Sequence, residues 1–193
     1  MRLRIGAIAA TGEERTAELD RITNILTDRA GRFIYGDGER SLSTAVGERL
    51  LERRESVAVA ESCTGGLLGA AFTDVAGSSA WFEGGVLTYS NAAKTRELQV
   101  PEAILDAVGA VSEEVAILIA SNVREKFGTT WGIGVTGIAG PGGGTTEKPV
   151  GLVWIAVSGP DGTKAVKYLF GNDRRVNRER TVGAALGMLW ARL

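Results

Sequence analysis

The chain has 193 residues, 44% of them hydrophobic, which is enough for one domain of ordinary size and a small additional piece. Its 22 basic and 23 acidic side chains nearly cancel, so the charge balance argues against binding to nucleic acid or to an anionic membrane surface. The chain has no histidine and a single cysteine, Cys63, which excludes a histidine general base, an intrachain disulfide and a zinc site made of cysteines.

The first 38 residues predict a small β-α-β piece. Residues 3–10 and 32–35 are short, mostly apolar and strand-like, and residues 13–28 carry leucine and isoleucine at the three- and four-residue spacings of a helix. A piece of this size cannot bury enough surface to offset the entropy of ordering it. We therefore expect it to pack on the rest of the chain or on another chain.

From residue 39 onward, apolar strands alternate with helices, which predicts an α/β fold, a three-layer α/β/α sandwich. The expected strands are residues 57–60, 86–89, 131–136, 150–157 and 165–170. The last two are separated by Gly159, Pro160, Asp161 and Gly162. This turn predicts a hairpin, because proline presets one dihedral angle and glycine admits positive φ.

Caps and apolar spacings mark the helices between these strands. Helices are predicted from about residue 42 to the charged run 52–55 and over residues 67–75. Ser112 is expected to cap a helix that runs to Lys126, and Asn172 or Asp173 to begin the last helix.

Ser62 follows the strand 57–60 directly and precedes the helical run 67–75. A hydroxyl at a strand-to-helix turn is exposed at the edge of the sheet, near backbone N–H groups that can bind a developing oxyanion. The N–H groups expected to do so are those of Thr64, Gly65 and Gly66. A helix cap followed by glycines that allow close strand–helix packing explains the same segment equally well.

A lysine and a tyrosine follow the next strand. Asn91 is a good helix cap, which places Lys94 one turn into a helix and Tyr89 just before it, so that amine and phenol converge. In a chain without histidine, a lysine, tyrosine or carboxylate must activate any nucleophile. A solvated lysine in a first helical turn is the commoner explanation of this pattern.

A glycine-rich loop follows the strand 131–136. Successive N–H groups of such a loop can approach an anion closely, and the loop leaves the edge of the sheet where ligands of α/β folds bind. It is not a Walker A loop, because no Gly-Lys-Ser/Thr follows. A mobile surface loop is the alternative. The candidate binding residues here are Thr136, Gly137, Ala139 and Gly140.

Four arginines lie within residues 174–180, near the start of the last helix. Such a run is usually a solvated helix face, but a guanidinium group can clamp a phosphate or carboxylate with forked hydrogen bonds. We expect one of Arg174, Arg175 and Arg178 to reach a substrate phosphate, and Arg175 is included among the candidate site residues.

Four segments, in one order, closely resemble the CinA family. They are residues 60–66 (Ala-Glu-Ser-Cys-Thr-Gly-Gly), residues 88–91 with Lys94, residues 137–141 (Gly-Ile-Ala-Gly-Pro) and residues 148–151 (Lys-Pro-Val-Gly). The resemblance runs from about residue 41 to residue 193. It implies a CinA C-terminal amidohydrolase domain over residues 39–193, preceded in residues 1–38 by a remnant of the family's KH-like middle domain.

The resemblance implies a nicotinamide-nucleotide amidohydrolase, which converts nicotinamide mononucleotide to nicotinate mononucleotide and ammonia without metal or cofactor. Ser62 would be the nucleophile, with Lys94 and Tyr89 handling its proton. A lysine can act as this base only if its pKa falls by roughly three units from about 10.4, a difference of about 4 kcal/mol.

Cys63 is the rival nucleophile, although a free cysteine is more often a small buried hydrophobe. Adjacent side chains of an extended segment point to opposite faces, so only one of Ser62 and Cys63 is expected to face the site. The alternative functions are a non-catalytic regulatory protein of competence and DNA damage, and an amidohydrolase of a different phosphorylated amide.

The chain has no run of eighteen apolar residues and no secretory signal pattern, so we expect a cytoplasmic protein that contacts neither a membrane nor nucleic acid directly. Analogy and the frequency of two-fold symmetry among oligomers favour a homodimer.

Overall fold

The computed structural model describes residues 3–193, including every side chain in that range except that of Arg32. The chain divides into two compact units, Met1–Gly38 and Glu39–Leu193. None of the helices in the described range is long and apolar enough to span a membrane.

The first unit is built on one helix, α1, Gly12–Ala30, followed by a short 3-10 turn, Gly31–Phe33. Thr11 caps α1: its Oγ1 accepts a hydrogen bond from Glu14 N at 3.1 Å, and the Glu14 carboxylate accepts one from Thr11 N at 3.3 Å. The helix is confirmed, but the predicted strands at 3–10 and 32–35 are wrong, since neither range is extended sheet in the described chain. An apolar run becomes a strand only where a neighbouring strand takes its N–H and C=O groups.

The second unit is built on a mixed sheet. Its strands, within the described residues, are β1 Val57–Glu61, β2 Phe82–Leu87, β3 Trp131–Gly137, β4 Leu152–Gly159 and β5 Gly162–Leu169, in the order β2-β1-β3-β4-β5. Strand β1 runs parallel to its neighbours β2 and β3, while β4 is antiparallel to both β3 and β5. The predicted α/β class and the β4–β5 hairpin are confirmed, although β2 begins four residues earlier than predicted.

Helices cover both faces of the sheet. They are α2 Leu42–Arg53, α3 Leu67–Thr73, α4 Asn91–Leu98, α5 Glu102–Val108, α6 Glu113–Phe127 and α7 Arg174–Trp190. Ser112 caps α6, as predicted, by accepting a hydrogen bond from Val115 N at 3.3 Å. The cap of α4 is Ser90, whose hydroxyl accepts from Ala93 N at 3.1 Å, so the prediction of Asn91 as the cap is wrong by one residue.

Alternate residues of the strands face two separate cores. Val57 and Val59 pack with α2, α3 and α7 on one face, and Ala58 and Ala60 pack with α4, α5 and α6 on the other. On that second face Gly132 gives α6 room to approach β3, because a Cβ there would lie 2.2 Å from the carbonyl oxygen of Ala120. The result is the three-layer sandwich that the alternation of strands and helices predicts.

The parallel part of the sheet gathers three loops at one edge. Strands β1, β2 and β3 all end there, at Glu61, Leu87 and Gly137, and each continues into a loop. In α/β sheets ligands bind beyond the carboxyl ends of parallel strands. This edge is therefore the place to look for a site.

Candidate active site

A cleft of about 250 Å³ lies at the carboxyl edge of the parallel strands. Residues that follow β1 and β2, the glycine-rich loop after β3 and the start of α7 line it. The lining residues are Ser62, Cys63, Tyr89, Gly137, Ile138, Ala139, Gly140, Gly142, Gly143 and Arg174.

The Lys94 amine lies against the Ser62 hydroxyl. Its Nζ is 3.3 Å from Ser62 Oγ, and it donates a hydrogen bond of 2.7 Å to the carbonyl oxygen of Thr88. Both side chains are buried, with relative exposures of 1% for Lys94 and 8% for Ser62. Because Lys94 is the fourth residue of α4 and Thr88 follows β2, the helix returns the amine to the end of the sheet.

The environment of Lys94 favours the neutral amine. No carboxylate pairs with it anywhere in residues 3–193, and burial lowers its pKa below the ordinary value of a lysine. A neutral amine has two N–H bonds and one lone pair. With one N–H directed at the Thr88 carbonyl, the lone pair can accept the proton of the Ser62 hydroxyl.

Cys63 also lines the cleft, but its environment favours the thiol. It is 5% exposed, and burial raises the pKa of its thiol to about 11, so it is not a thiolate near neutral pH. Cys63 belongs to the hydrophobic core cluster that Val57 and Val59 form with α2, α3 and α7, which agrees with the expectation of a small buried hydrophobe.

The turn after Ser62 is held by the carboxylate of Glu61, which sequence reasoning missed. Glu61 is 1% exposed and accepts hydrogen bonds from the N–H groups of Gly66 at 3.0 Å, Leu68 at 3.1 Å and Gly69 at 2.8 Å. The signal was present in the sequence, since a glutamate inside an apolar strand must find donors when it is buried.

These contacts change which N–H groups are available to an oxyanion. The Gly65 N–H donates to the carbonyl oxygen of Ser62 at 3.1 Å, and the Gly66 N–H donates to Glu61, so neither is free as expected. In the described part of the chain, the N–H groups of Ser62, Cys63 and Thr64 donate no hydrogen bond to another residue. They are the donors that remain at this turn.

The first part of the glycine-rich loop, residues 138–140, is held by hydrogen bonds. The Ile138 N–H donates to the Leu152 carbonyl at 2.8 Å, and the carbonyl groups of Ala139 and Gly140 accept hydrogen bonds from α7. Gly140 has φ of 90°, a conformation that favours glycine. Thr136 does not line the cleft: its buried hydroxyl donates to the Ala110 carbonyl at 2.7 Å and holds the α5–α6 link.

The first turns of α7 connect the three loops. Arg174 donates to the Gly140 carbonyl and to the Tyr89 hydroxyl, both at 2.8 Å. Asn177 donates to the Ala139 carbonyl at 3.0 Å, and Arg178 binds the Thr64 carbonyl through Nε at 3.1 Å and Nη2 at 2.7 Å. Residues at i, i+3 and i+4 share one helix face, which is why these three act together.

A comparison with known families identifies the chain. The model of the CinA C-terminal domain matches residues 39–193. The chain belongs to the CinA family. The match starts where the second structural unit starts. The assignment of residues 1–38 to a remnant of the KH-like middle domain stays a prediction.

Comparisons with individual CinA relatives and solved structures support the same family. A CinA-like protein of Parasynechococcus marenigrum is 48% identical over the whole chain, and one of Gemmatimonas aurantiaca is 45% identical over 97% of it; the chain spans 46% and 44% of these relatives' lengths, less than half of each. The crystal structure of the competence/damage inducible protein CihA from Agrobacterium tumefaciens is 38% identical with a TM-score of 0.72, covering 80% of this chain and 97% of that one.

Two residues predicted for the CinA site lie elsewhere. Arg175 is 88% exposed and pairs with Glu179 at 2.8 Å, because its position on α7 points away from the face of Arg174 and Arg178. Asn91 is exposed and is not among the lining residues. Arg174 is the arginine that the structure brings to the cleft.

Tyr89 reaches the CinA cleft but not the lysine. It is 63% exposed, its hydroxyl accepts the hydrogen bond from Arg174, and no hydrogen bond joins it to Lys94 or Ser62 in the described structure. The expected proton relay through Tyr89 is therefore not formed. No grouping of three or more cysteine, aspartate or glutamate side chains that could hold a metal ion occurs among the residues described.

Proposed function

We propose that the chain hydrolyses the carboxamide of nicotinamide mononucleotide to nicotinate mononucleotide and ammonia. Ser62 is the nucleophile and Lys94 is its base. The observation that carries the proposal is a buried amine that has no counter-ion among residues 3–193 and lies 3.3 Å from a serine hydroxyl, in a cleft at the carboxyl edge of the sheet.

In the first half of the proposed reaction, neutral Lys94 accepts the proton of the Ser62 hydroxyl while Ser62 Oγ attacks the amide carbon. The oxyanion that forms is bound by the N–H groups of Cys63 and Thr64. Lys94, now protonated, gives its proton to the amide nitrogen, the C–N bond breaks, and ammonia leaves an ester on Ser62.

In the second half, a water molecule attacks the carbon of the ester while Lys94 accepts a proton from that water. The C–O bond to Ser62 then breaks, and the proton on Lys94 returns to the serine oxygen. The product is the free carboxylic acid, which ionises at neutral pH. Serine and lysine both end in their starting states, so the cycle needs no further reactant.

The lining of the cleft fits a small aromatic ligand with an anionic group. Arg174 supplies a cation, Tyr89 supplies an exposed ring, and none of the lining residues is acidic. The volume of about 250 Å³ lies just below the range for small-molecule sites, about 300–1,000 Å³. The positive pyridinium ring of the substrate would also oppose protonation of Lys94 in the complex.

The test is ammonia release from nicotinamide mononucleotide. We expect S62A and K94M each to lose activity by about 10³-fold or more, while C63A stays within a few-fold of the wild type. C63A is the matched control because Cys63 lines the same cleft one residue away. Circular dichroism establishes that each variant is folded. Activity retained by S62A, or abolished only in C63A, would reassign the nucleophile.

An amidohydrolase of another phosphorylated amide is the second candidate. The contacts named above recognise a ring and an anion but no ribose. Comparing kcat/KM for nicotinamide mononucleotide, nicotinamide riboside and other phosphorylated amides distinguishes these substrates. A chain that releases ammonia from none of them would instead favour the non-catalytic regulatory function.

A further inference from the structure

The carboxylate of Glu61 stands in for a helix cap. Helix α3 begins after Gly66, which has no side chain with which to accept its first N–H groups, and no side-chain cap is formed there. Glu61 supplies the missing acceptor from the end of β1, with Oε2 bound by Gly66 N and Leu68 N and Oε1 by Gly69 N. Both oxygens of the carboxylate are thus used within the protein.

These hydrogen bonds close a ring of backbone, from Glu61 to Gly69, that contains Ser62. The side chain of Glu61 holds the backbone at residues 66–69, so residues 62–65 form a loop with both ends fixed. Inside the ring, the Gly65 N–H donates to the Ser62 carbonyl at 3.1 Å. The direction of the Ser62 side chain therefore depends on where the Glu61 carboxylate binds.

The hydrogen bonds of Glu61 also determine which backbone N–H groups are available to bind the substrate. The N–H groups at the start of α3 are used by Glu61, so they are not offered to an anion in the cleft. Recognition of an anionic group is left to Arg174, and recognition of the oxyanion to the N–H groups before Gly65.

We infer that Glu61 is a positioning residue for the proposed reaction: its carboxylate fixes the turn that holds Ser62 Oγ against Lys94. The inference rests on the proposed function in taking Ser62 as the nucleophile. It does not depend on the identity of the amide, because Glu61 acts on the turn and touches no lining group of the substrate cleft other than through the backbone.

The test compares E61Q with S112A. Glutamine has the shape of glutamate but offers an NH₂ group to one of the N–H donors, so the ring must shift. We expect kcat to fall about 10²-fold with KM within about threefold, as for a misplacement of the reacting group by about 1 Å. S112A removes the cap of α6, away from the cleft, and should lower the melting temperature without changing kcat.

A second readout separates this inference from the choice of substrate. The rate at which phenylmethanesulfonyl fluoride modifies Ser62, followed by intact mass, should fall in E61Q by a factor similar to that in kcat, and not in S112A. E61D retains the charge but is one methylene shorter, and it replaces E61Q if that variant does not fold. Its expected loss in kcat and in labelling is about tenfold.

Several results would overturn the inference. Equal kcat and equal labelling in the folded Glu61 variant and the wild type would show that the carboxylate does not position Ser62. A higher KM at unchanged kcat would give Glu61 a role in binding instead. Wild-type labelling no faster than that of S62A would mean that no activated serine exists, whereas labelling without turnover of nicotinamide mononucleotide would fail only the proposed substrate.

Discussion

Replacing Lys94 by methionine is expected to stabilise the fold relative to the wild type at neutral pH while it abolishes the reaction. Methionine has a similar length and no charge, and the site is 1% exposed. The variant loses the hydrogen bond to the Thr88 carbonyl, worth about 1 kcal/mol net, and the contact with Ser62. It gains by removing a group that burial makes unfavourable to ionise.

The size of the gain follows from proton linkage. The pKa of Lys94 is lowered by burial in the folded state, so the unfolded chain binds more protons at every pH between that lowered pKa and about 10.4. Across this window the free energy of unfolding of the wild type rises by about 1.4 kcal/mol per pH unit from Lys94 alone. Wherever the folded amine is already neutral, as the proposed reaction requires near neutral pH, K94M and the wild type converge by about 1.4 kcal/mol for each unit of pH.

Urea unfolding followed by tryptophan fluorescence at several pH values measures this convergence. The series should end below pH 9, because burial raises the pKa of the Cys63 thiol from 9.0 to about 11. The stability that a raised thiol pKa contributes is lost between those values, with the opposite sign to the Lys94 effect. K167M, which removes an exposed lysine of β5, is the control for the loss of a charge.

Free energies of unfolding that stay parallel for K94M and the wild type between about pH 7 and about pH 8.5 would refute the reasoning. Lys94 would then be protonated in the folded chain throughout that range. It could not serve as the base for Ser62 near neutral pH, however close the two atoms lie.

Three further predictions concern the cleft and the sheet. R174M should raise KM for nicotinamide mononucleotide by about tenfold to a hundredfold, the range expected for one charge-assisted hydrogen bond, whereas R175M should stay within about twofold of the wild type; steady-state kinetics of both variants check this. The kcat/KM of the wild type should rise with pH through the lowered pKa of Lys94 and level off well below pH 10. A bell-shaped pH profile, or a fall in kcat/KM over that range, would contradict a neutral lysine base. G132A should destabilise the fold by about 1–3 kcal/mol in urea unfolding, because its Cβ would meet the Ala120 carbonyl at 2.2 Å, and an unchanged free energy would mean that α6 moves aside freely.

The sheet was predictable because its strands carry their own signals. Apolar runs such as β1 are bounded by charged or glycine-rich segments, and the turn before β5 has the chemistry of a hairpin. The seven-residue helix α5 gives too few turns for its spacing to stand out, so it was not predicted. The strands predicted in residues 3–38 fail for a different reason, since pairing partners are not visible in a local pattern.

The pairing of Lys94 with Ser62 was predicted from the resemblance to the CinA family, and the structure places the two side chains 3.3 Å apart. Contacts between side chains on elements far apart in the sequence could not be predicted. Arg178 binds the Thr64 carbonyl across 114 residues, and Asn177 reaches Ala139 across 38. A local pattern shows that a helix start is rich in arginine, but only the packing of α7 decides which arginine faces the loops.

The cytoplasmic location and the homodimer stay predictions. Sedimentation equilibrium at several concentrations tests the dimer directly, and a mass equal to one chain at all of them would exclude it. The absence of direct nucleic-acid contact, expected from the near-neutral charge, is tested by a mobility shift with single- and double-stranded DNA at low salt.

The way α7 ties the loops has a consequence for how the protein is made. Translation delivers the serine turn, the tyrosine and the glycine loop first, and the helix that fastens all of them leaves the ribosome only after residue 174. A nascent chain can pair its strands before then, because β5 ends at Leu169, but the loops of the cleft are not yet fastened. The contacts that hold the loops of the cleft to one another therefore form only together with the packing of α7 on the sheet.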